Sequence, residues 1–178
     1  MSVGALLAAA AALSLERVTY AWIWYRSNRF RAWCQRPGLA DLGGPVASLR
    51  ILFYIFKAVQ IGVFAAWFYA FGTGVVWPPD APTPAVMLGV VLCGCGQLLN
   101  WSVFHRLGTV GVFYGDRFGY HVARCTAFPF SMTAHPQYLG AVMSIWGLFL
   151  IMRFPHPDWY AVPAVETAYY LVAARLEQ

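Results

Sequence analysis

Two long apolar stretches constrain this chain more than any other feature: VASLRILFYIFKAVQIGVFAAWFYAF at residues 46 to 71 and AVMLGVVLCGCGQLLNWSVF at residues 85 to 104. Crossing a hydrocarbon core of ~30 Å takes about 20 apolar residues in a helix, and in lipid a helix satisfies its own backbone groups. Between them lies GTGVVWPPDAPTP, residues 72 to 84, with four prolines, one aspartate and no Lys or Arg. That is a short turn on the non-cytosolic side, after which the chain returns.

Composition agrees. The chain has 178 residues, 60% hydrophobic and 11% charged, against roughly 25% charged in a soluble domain. The length suits one domain, residues 1–178, and about four to six crossings. The net charge of +5 comes from grouped arginines, not from a groove interleaved with stacking aromatics. It reads as membrane topology and anionic headgroups, with no nucleic-acid partner. Cys34, Cys93, Cys95 and Cys125 have no disulfide or metal spacing and behave as small apolar residues.

The first segment, residues 3 to 25, is open to two readings: its internal Glu16–Arg17 pair suits a re-entrant or interfacial helix as well as a span. RSNRFRAWCQR, residues 26 to 36, carries Arg26, Arg29, Arg31 and Arg36 with no acid, so this loop faces the cytosol. Arg50 and Lys57, in the first half of the next span, have stems long enough to snorkel toward it. The span at 85 to 104 then delivers His105 and Arg106 to the same side, and the polar stretch 105–137 is cytosolic. YLGAVMSIWGLFLIM (138–152) and WYAVPAVETAYYLVAA (159–174), joined by RFPHPD, form a helical hairpin that returns the C-terminus to the cytosol. The expected fold is an all-α, polytopic integral membrane helical bundle of four to five membrane helices, the last two a hairpin.

Gly89, Cys93, Gly96 and Asn100 recur at helical spacing, leaving one face nearly bare, with Gly94 and Cys95 beside it. Close helix packing and room for a flat ligand both explain that face. GCG is no dinucleotide fingerprint, because no strand precedes it. Glu166, mid-way through the last apolar run, faces a polar partner or a functional cavity. Asp116, Arg117, His121 and Arg124 read equally as turn and headgroup-facing charges. His135 precedes Pro136, which starts a helix and sets His135 at the boundary between loop and bilayer. No second ligand lies at metal-binding spacing.

LGVVLCGCG, then LGTVGVFYGDRFG from Leu107 to Gly119, then FPFSMTAHPQYLG and a hairpin closing on LEQ, together resemble the phosphatidylethanolamine N-methyltransferase family. The likeness is dense over residues 88 to 152. The shorter HPxYxG element is also similar to isoprenylcysteine carboxyl methyltransferases. The resemblance implies an enzyme of the endoplasmic reticulum membrane. It would use S-adenosylmethionine to methylate phosphatidylethanolamine and its monomethyl and dimethyl forms toward phosphatidylcholine. It implies cofactor contacts at Gly94, Cys95 and Gly96 and at a glutamate pair, of which the first falls on Glu177. Gln178 stands where the second glutamate is expected and removes one negative charge from a site for a cationic sulfonium. A C-terminus that stops there is expected to leave the cofactor less covered.

On that reading a protonated headgroup amine has to lose a proton before attack, for which Asp116 and His135 are the catalytic candidates. Arg117 or Arg124 would hold the lipid phosphate. Tyr114, Phe118, Tyr120 and Tyr138 offer aromatic faces to the methylated cation, Tyr138 as a substrate contact. Two alternatives stand beside it: a prenylcysteine carboxyl methyltransferase, and a membrane assembly protein whose glycines only pack helices.

Overall fold

A computed structural model describes residues 3–71 and 81–177. Six α-helices follow in order, α1 Val3–Tyr25, α2 Ser27–Cys34, α3 Pro45–Phe71, α4 Thr83–Val112, α5 Pro136–Met152 and α6 Ala161–Leu176, with short 3-10 turns at Ala40–Leu42 and Gly115–Phe118. The described residues contain no strand. Three stretches, Val3–Tyr25, Pro45–Phe71 and Thr83–Phe118, are long and apolar enough to cross a membrane, and α5 is a shorter apolar helix. This is a helical membrane bundle. Most of the turn expected at 72 to 84 lies outside the described residues.

The first segment is one continuous 23-residue helix. The arginine-bearing stretch, expected as a loop, is largely helical. In α2, Phe30 and Cys34 are buried while Arg29 and Arg31 stay exposed, so the helix lies with one face on the bundle.

The second long span also runs past its expected end at residue 104, to Val112. At Gly108 the backbone takes φ 61° and ψ −179°, bending the helix where a side chain would be strained. The chain closes with the 3-10 turn Gly115–Phe118, so much of the stretch expected as loop is ordered helix end.

The most extensive contact in the molecule joins α4 and α5. A Cβ on Gly96 would lie 2.4 Å from the Gly140 carbonyl oxygen, and one on Gly89 would lie 2.6 Å from that of Gly147. Two glycine pairs thus bring the backbones together, the small-residue packing that lipid favours.

Buried apolar side chains gather in two clusters. One joins Leu13, Phe64, Phe68, Phe149 and Val162; the other joins Ile23, Phe30, Leu49, Phe113 and Phe118. Between the clusters α1 carries Glu16 and Arg17 and α3 carries Lys57 and Gln60, and this is where the site forms.

At the end of the bundle away from α2, the turn between α5 and α6 is locked by a buried ion pair. Arg153 donates from Nη2 to Asp158 Oδ1 at 2.5 Å, and Trp67 donates to Asp158 Oδ2 at 2.9 Å. Burial pushes the Asp158 carboxyl up, but the bonds from Arg153 and Trp67 outweigh it and hold the group below the usual carboxylate range. Its contribution is therefore complete above the unfolded-chain value and is lost as pH falls through the lower folded-state one. Asp158→Asn leaves the Arg153 guanidinium buried and unpaired, an expected loss of about 3–5 kcal/mol. Thermal unfolding in detergent at neutral pH checks this; an unchanged midpoint would refute it.

Candidate functional site in the bundle

Charged side chains within membrane helices are costly, and they face the interior and pair with one another. Five polar residues from α1, α3 and α6 do so here. Gln60 donates to Glu166 Oε1 at 2.6 Å, Lys57 donates to Gln60 Oε1 at 2.9 Å, and Lys57 Nζ lies 3.5 Å from Glu16 Oε1. Arg17 Nη2 is 3.5 Å from the same Glu16 oxygen, and its guanidinium carbon sits 3.8 Å from the centroid of the Tyr170 ring. Two acids and two bases balance in charge. Lys57 therefore turns into the bundle, instead of snorkelling toward the arginines of α2, because Glu16 offers an opposite charge at the same depth.

Beside this chain of contacts lies a cavity of about 720 Å³, walled by α1, α3, α4, α5 and α6. Its volume falls within the ~300–1,000 Å³ of small-molecule sites. Helices α3 and α4 touch little, and Ile61, Gln97 and Trp101, which line the cavity, are exposed. The cavity thus opens sideways, between those two helices, toward lipid.

Three buried polar atoms of residues in its wall have no hydrogen-bond partner among the described residues: Arg17 Nε, Tyr20 Oη and Asn100 Oδ1. An unsatisfied buried donor or acceptor costs about 1–3 kcal/mol. Two unpaired donors and an unpaired acceptor on residues that wall one chamber suit a polar ligand.

Near the α2 end of the bundle, Tyr114 and Tyr138, both lining the cavity, donate to the two oxygens of Glu177 at 2.5 Å each. A carboxylate at the end of α6 faces the negative end of the helix dipole, and these hydroxyls offset that repulsion. Tyr114 takes the left-handed conformation, φ 55°, to reach it. Nearby, the Arg117 guanidinium stacks 3.6 Å from the Trp24 ring centroid, and His135 stacks on Tyr138 with ring centroids 5.5 Å apart.

The residues singled out in the sequence are thus divided. Tyr138 lines the cavity and binds Glu177, with His135 beside it but outside the cavity wall. Asp116 and Arg124 are exposed and do not reach the cavity. Gly94 and Cys95 are exposed, with open space around a Cβ on Gly94, whereas Gly96 is sealed against α5. The cavity side of α4 is formed instead by Gln97, Asn100, Trp101 and Phe104. Gln178 lies outside the described residues. Sequence reasoning missed Glu16, Arg17, Lys57 and Asn100 as site residues. The signal was present for the first three, since an ionisable group inside an apolar helix marks a functional cavity.

A helical membrane bundle with a ligand-sized, largely apolar chamber that carries a few polar side chains defines a membrane protein with a candidate small-molecule site. The chain belongs to the phospholipid methyltransferase family, whose model matches residues 84–178. It is 29% identical over 140 residues to phosphatidyl-N-methylethanolamine N-methyltransferase of Arabidopsis thaliana, covering 78% of this chain and 75% of that one. The protein of the same name in Saccharomyces cerevisiae is 38% identical, over 51% of this chain and 44% of its own length. Phosphatidylethanolamine N-methyltransferase of Homo sapiens is 40% identical, over 43% of this chain and 38% of its own length. The matches thus span less than half of the yeast and human proteins. No solved structure matches the chain significantly.

Proposed function

We propose that this protein transfers methyl groups from S-adenosylmethionine to the amine of phosphatidylethanolamine and its monomethyl and dimethyl derivatives, toward phosphatidylcholine. The observation that carries the reading is the set of unpartnered atoms on Arg17, Tyr20 and Asn100 in one lipid-open cavity, in a chain of this family.

The residues present suit the methyl donor. Asn100 Oδ1 and Glu177 accept hydrogen bonds from amino or hydroxyl groups, and the Tyr20 hydroxyl donates one. The donor supplies a methyl carried on positively charged sulfur, which the lipid amine takes by in-line displacement. The protein's part is alignment and exclusion of water. A chamber that fixes both reactants removes much of the entropic barrier, and tyrosine faces around it favour the growing cation. Arg117, braced on Trp24, and the exposed Arg124 offer guanidinium groups to lipid phosphate.

The arginines of α2 support a cytosolic position for its end of the bundle, with the 105–137 segment and Glu177, where a water-soluble donor is available. The family likeness supports the endoplasmic reticulum membrane.

The test is radiolabelled methyl transfer from S-adenosylmethionine in membranes containing the full chain. Phosphatidylethanolamine, its monomethyl and dimethyl forms and a prenylcysteine are offered separately. Label in one or more of the lipids is expected. Label in prenylcysteine alone would replace this reading with carboxyl methylation, and label in none would refute enzymatic methylation of these acceptors.

A further inference from the structure

Methylating a headgroup amine first requires that the nitrogen lose a proton. The nitrogen is an ammonium at neutral pH, without the lone pair that attacks carbon, so a base has to lie where the headgroup binds. Asp116 is exposed on its turn, and His135 is outside the cavity wall. Among the described residues that line the cavity, Glu16 is the one carboxylate.

Its carboxylate is buried and held by no short bond. Glu16 is 5% exposed, and both cations nearest it, on Arg17 and Lys57, stand at 3.5 Å, beyond a short charge-assisted bond. Gln60, hydrogen-bonded to both Lys57 and Glu166, holds Lys57 in place from the other side. The groups that face Glu16 are therefore Arg17 and Tyr20 on its own helix, Lys57 on α3, and Tyr170 and Glu166 on α6.

Depth adds to the effect. Glu16 lies nine residues before Tyr25, about 14 Å along the helix at 1.5 Å per residue, well below the aromatic end of α1. Passing one proton from a headgroup ammonium to the Glu16 carboxylate turns two ions into two neutral groups.

We infer that Glu16 is the proton acceptor for the lipid amine, a role that rests on the methyl-transfer reading above. The ammonium N–H bond breaks with its electron pair left on nitrogen, and the proton forms an O–H bond on a Glu16 carboxylate oxygen. The freed pair then forms the N–C bond as the donor's C–S bond breaks with its pair left on sulfur. Each turnover thus loads one proton on Glu16, which leaves to solvent before the next.

The experiment uses the full chain reconstituted in vesicles of phosphatidylethanolamine and phosphatidylglycerol. It compares the wild type, Glu16→Gln and Glu16→Asp for initial methyl-transfer rate from pH 6.5 to 9, and for binding of S-adenosylhomocysteine by calorimetry. Glu16→Gln is expected to lower kcat by about 10²- to 10⁴-fold. Its residual rate should rise about tenfold per pH unit as solvent, instead of the protein, removes the amine proton. Affinity for S-adenosylhomocysteine should stay within about twofold, and Glu16→Asp should keep part of the rate.

A Glu16→Gln rate and pH profile matching wild type would overturn the inference. So would a parallel loss of S-adenosylhomocysteine affinity, which would assign Glu16 to the amino end of the donor. If Glu16→Gln fails to fold, Glu16→Gln/Lys57→Met, which removes one charge of each sign, takes its place with the same expected slope. A wild type that labels no lipid amine would instead refute the methyl-transfer reading, and the role of Glu16 with it.

Discussion

Glu177→Gln is expected to weaken binding of S-adenosylmethionine by about 10- to 150-fold while leaving the protein folded. The carboxylate receives both tyrosine hydroxyls, from Tyr114 and Tyr138. Its charge offers the attraction a cationic sulfonium donor needs, beside two tyrosines that line the cavity. Hydrogen bonds to charged groups are worth about 1.5–3 kcal/mol each, and every 1.4 kcal/mol is about tenfold in affinity. An amide keeps one acceptor and turns an N–H₂ toward the other hydroxyl, so the clamp opens on one side. Stability should hold, because a carboxylate at the C-terminus of α6 opposes the helix dipole and Glu177→Gln relieves that opposition. Tyr114→Phe and Tyr138→Phe should each give a smaller loss, since one hydroxyl remains. Calorimetric titration of the reconstituted protein decides it; unchanged affinity in Glu177→Gln would remove this carboxylate from the donor site.

The second large effect belongs to α4 and α5. A Cβ on Gly140 would stand 2.6 Å from the Gly96 carbonyl oxygen and 3.0 Å from Asn100 Oδ1. Backbone cannot turn aside, so Gly140→Leu forces the helices apart along the largest contact in the bundle. The expected loss is about 3 kcal/mol or more, at the upper end for overpacked sites, read as a collapsed melting midpoint or no folded protein at all. Gly94→Leu is the counterpart. Nothing lies within 4 Å of a Cβ there, and the melting midpoint should not move. If the glycine pair implied by the family likeness also serves the donor, Gly94→Leu lowers S-adenosylhomocysteine affinity at constant stability. Equal destabilisation by both variants would refute the division between the two glycines.

Much of this architecture was legible in one dimension because lipid leaves few options. The spans at 46 to 71 and 85 to 104 follow from length and apolarity, since an unpaired backbone group in hydrocarbon costs several kcal/mol. Pro136 marked the start of α5. The helical reading failed where polar residues continue a helix, at 105–112 and in α2. Arginine and serine there look like loop, but a helix lying on the bundle needs only one apolar face, and α2 supplies it with Phe30 and Cys34.

The site divides differently. Glu177 and Tyr138 were readable as candidates through the family resemblance, and their hydrogen bond joins residues 39 apart in sequence. The GCG stretch invited one reading, yet Gly96 turns to α5 and Gly94 turns outward. Spacing tells which residues share a helical face but not what that face meets.

Hydrophobic length and charge bias were enough to establish a membrane bundle and which end carries the arginines, because both act on each segment separately. The cavity was not contained in them. Glu16, Lys57 and Glu166 are separated by 41 and 109 residues along the chain. They meet because each is too costly to leave facing lipid and three helices cross at one depth. That meeting is a property of packing, and it draws Glu16 and Arg17 of α1 into the candidate site, where the sequence had left this segment open between a span and a re-entrant or interfacial helix.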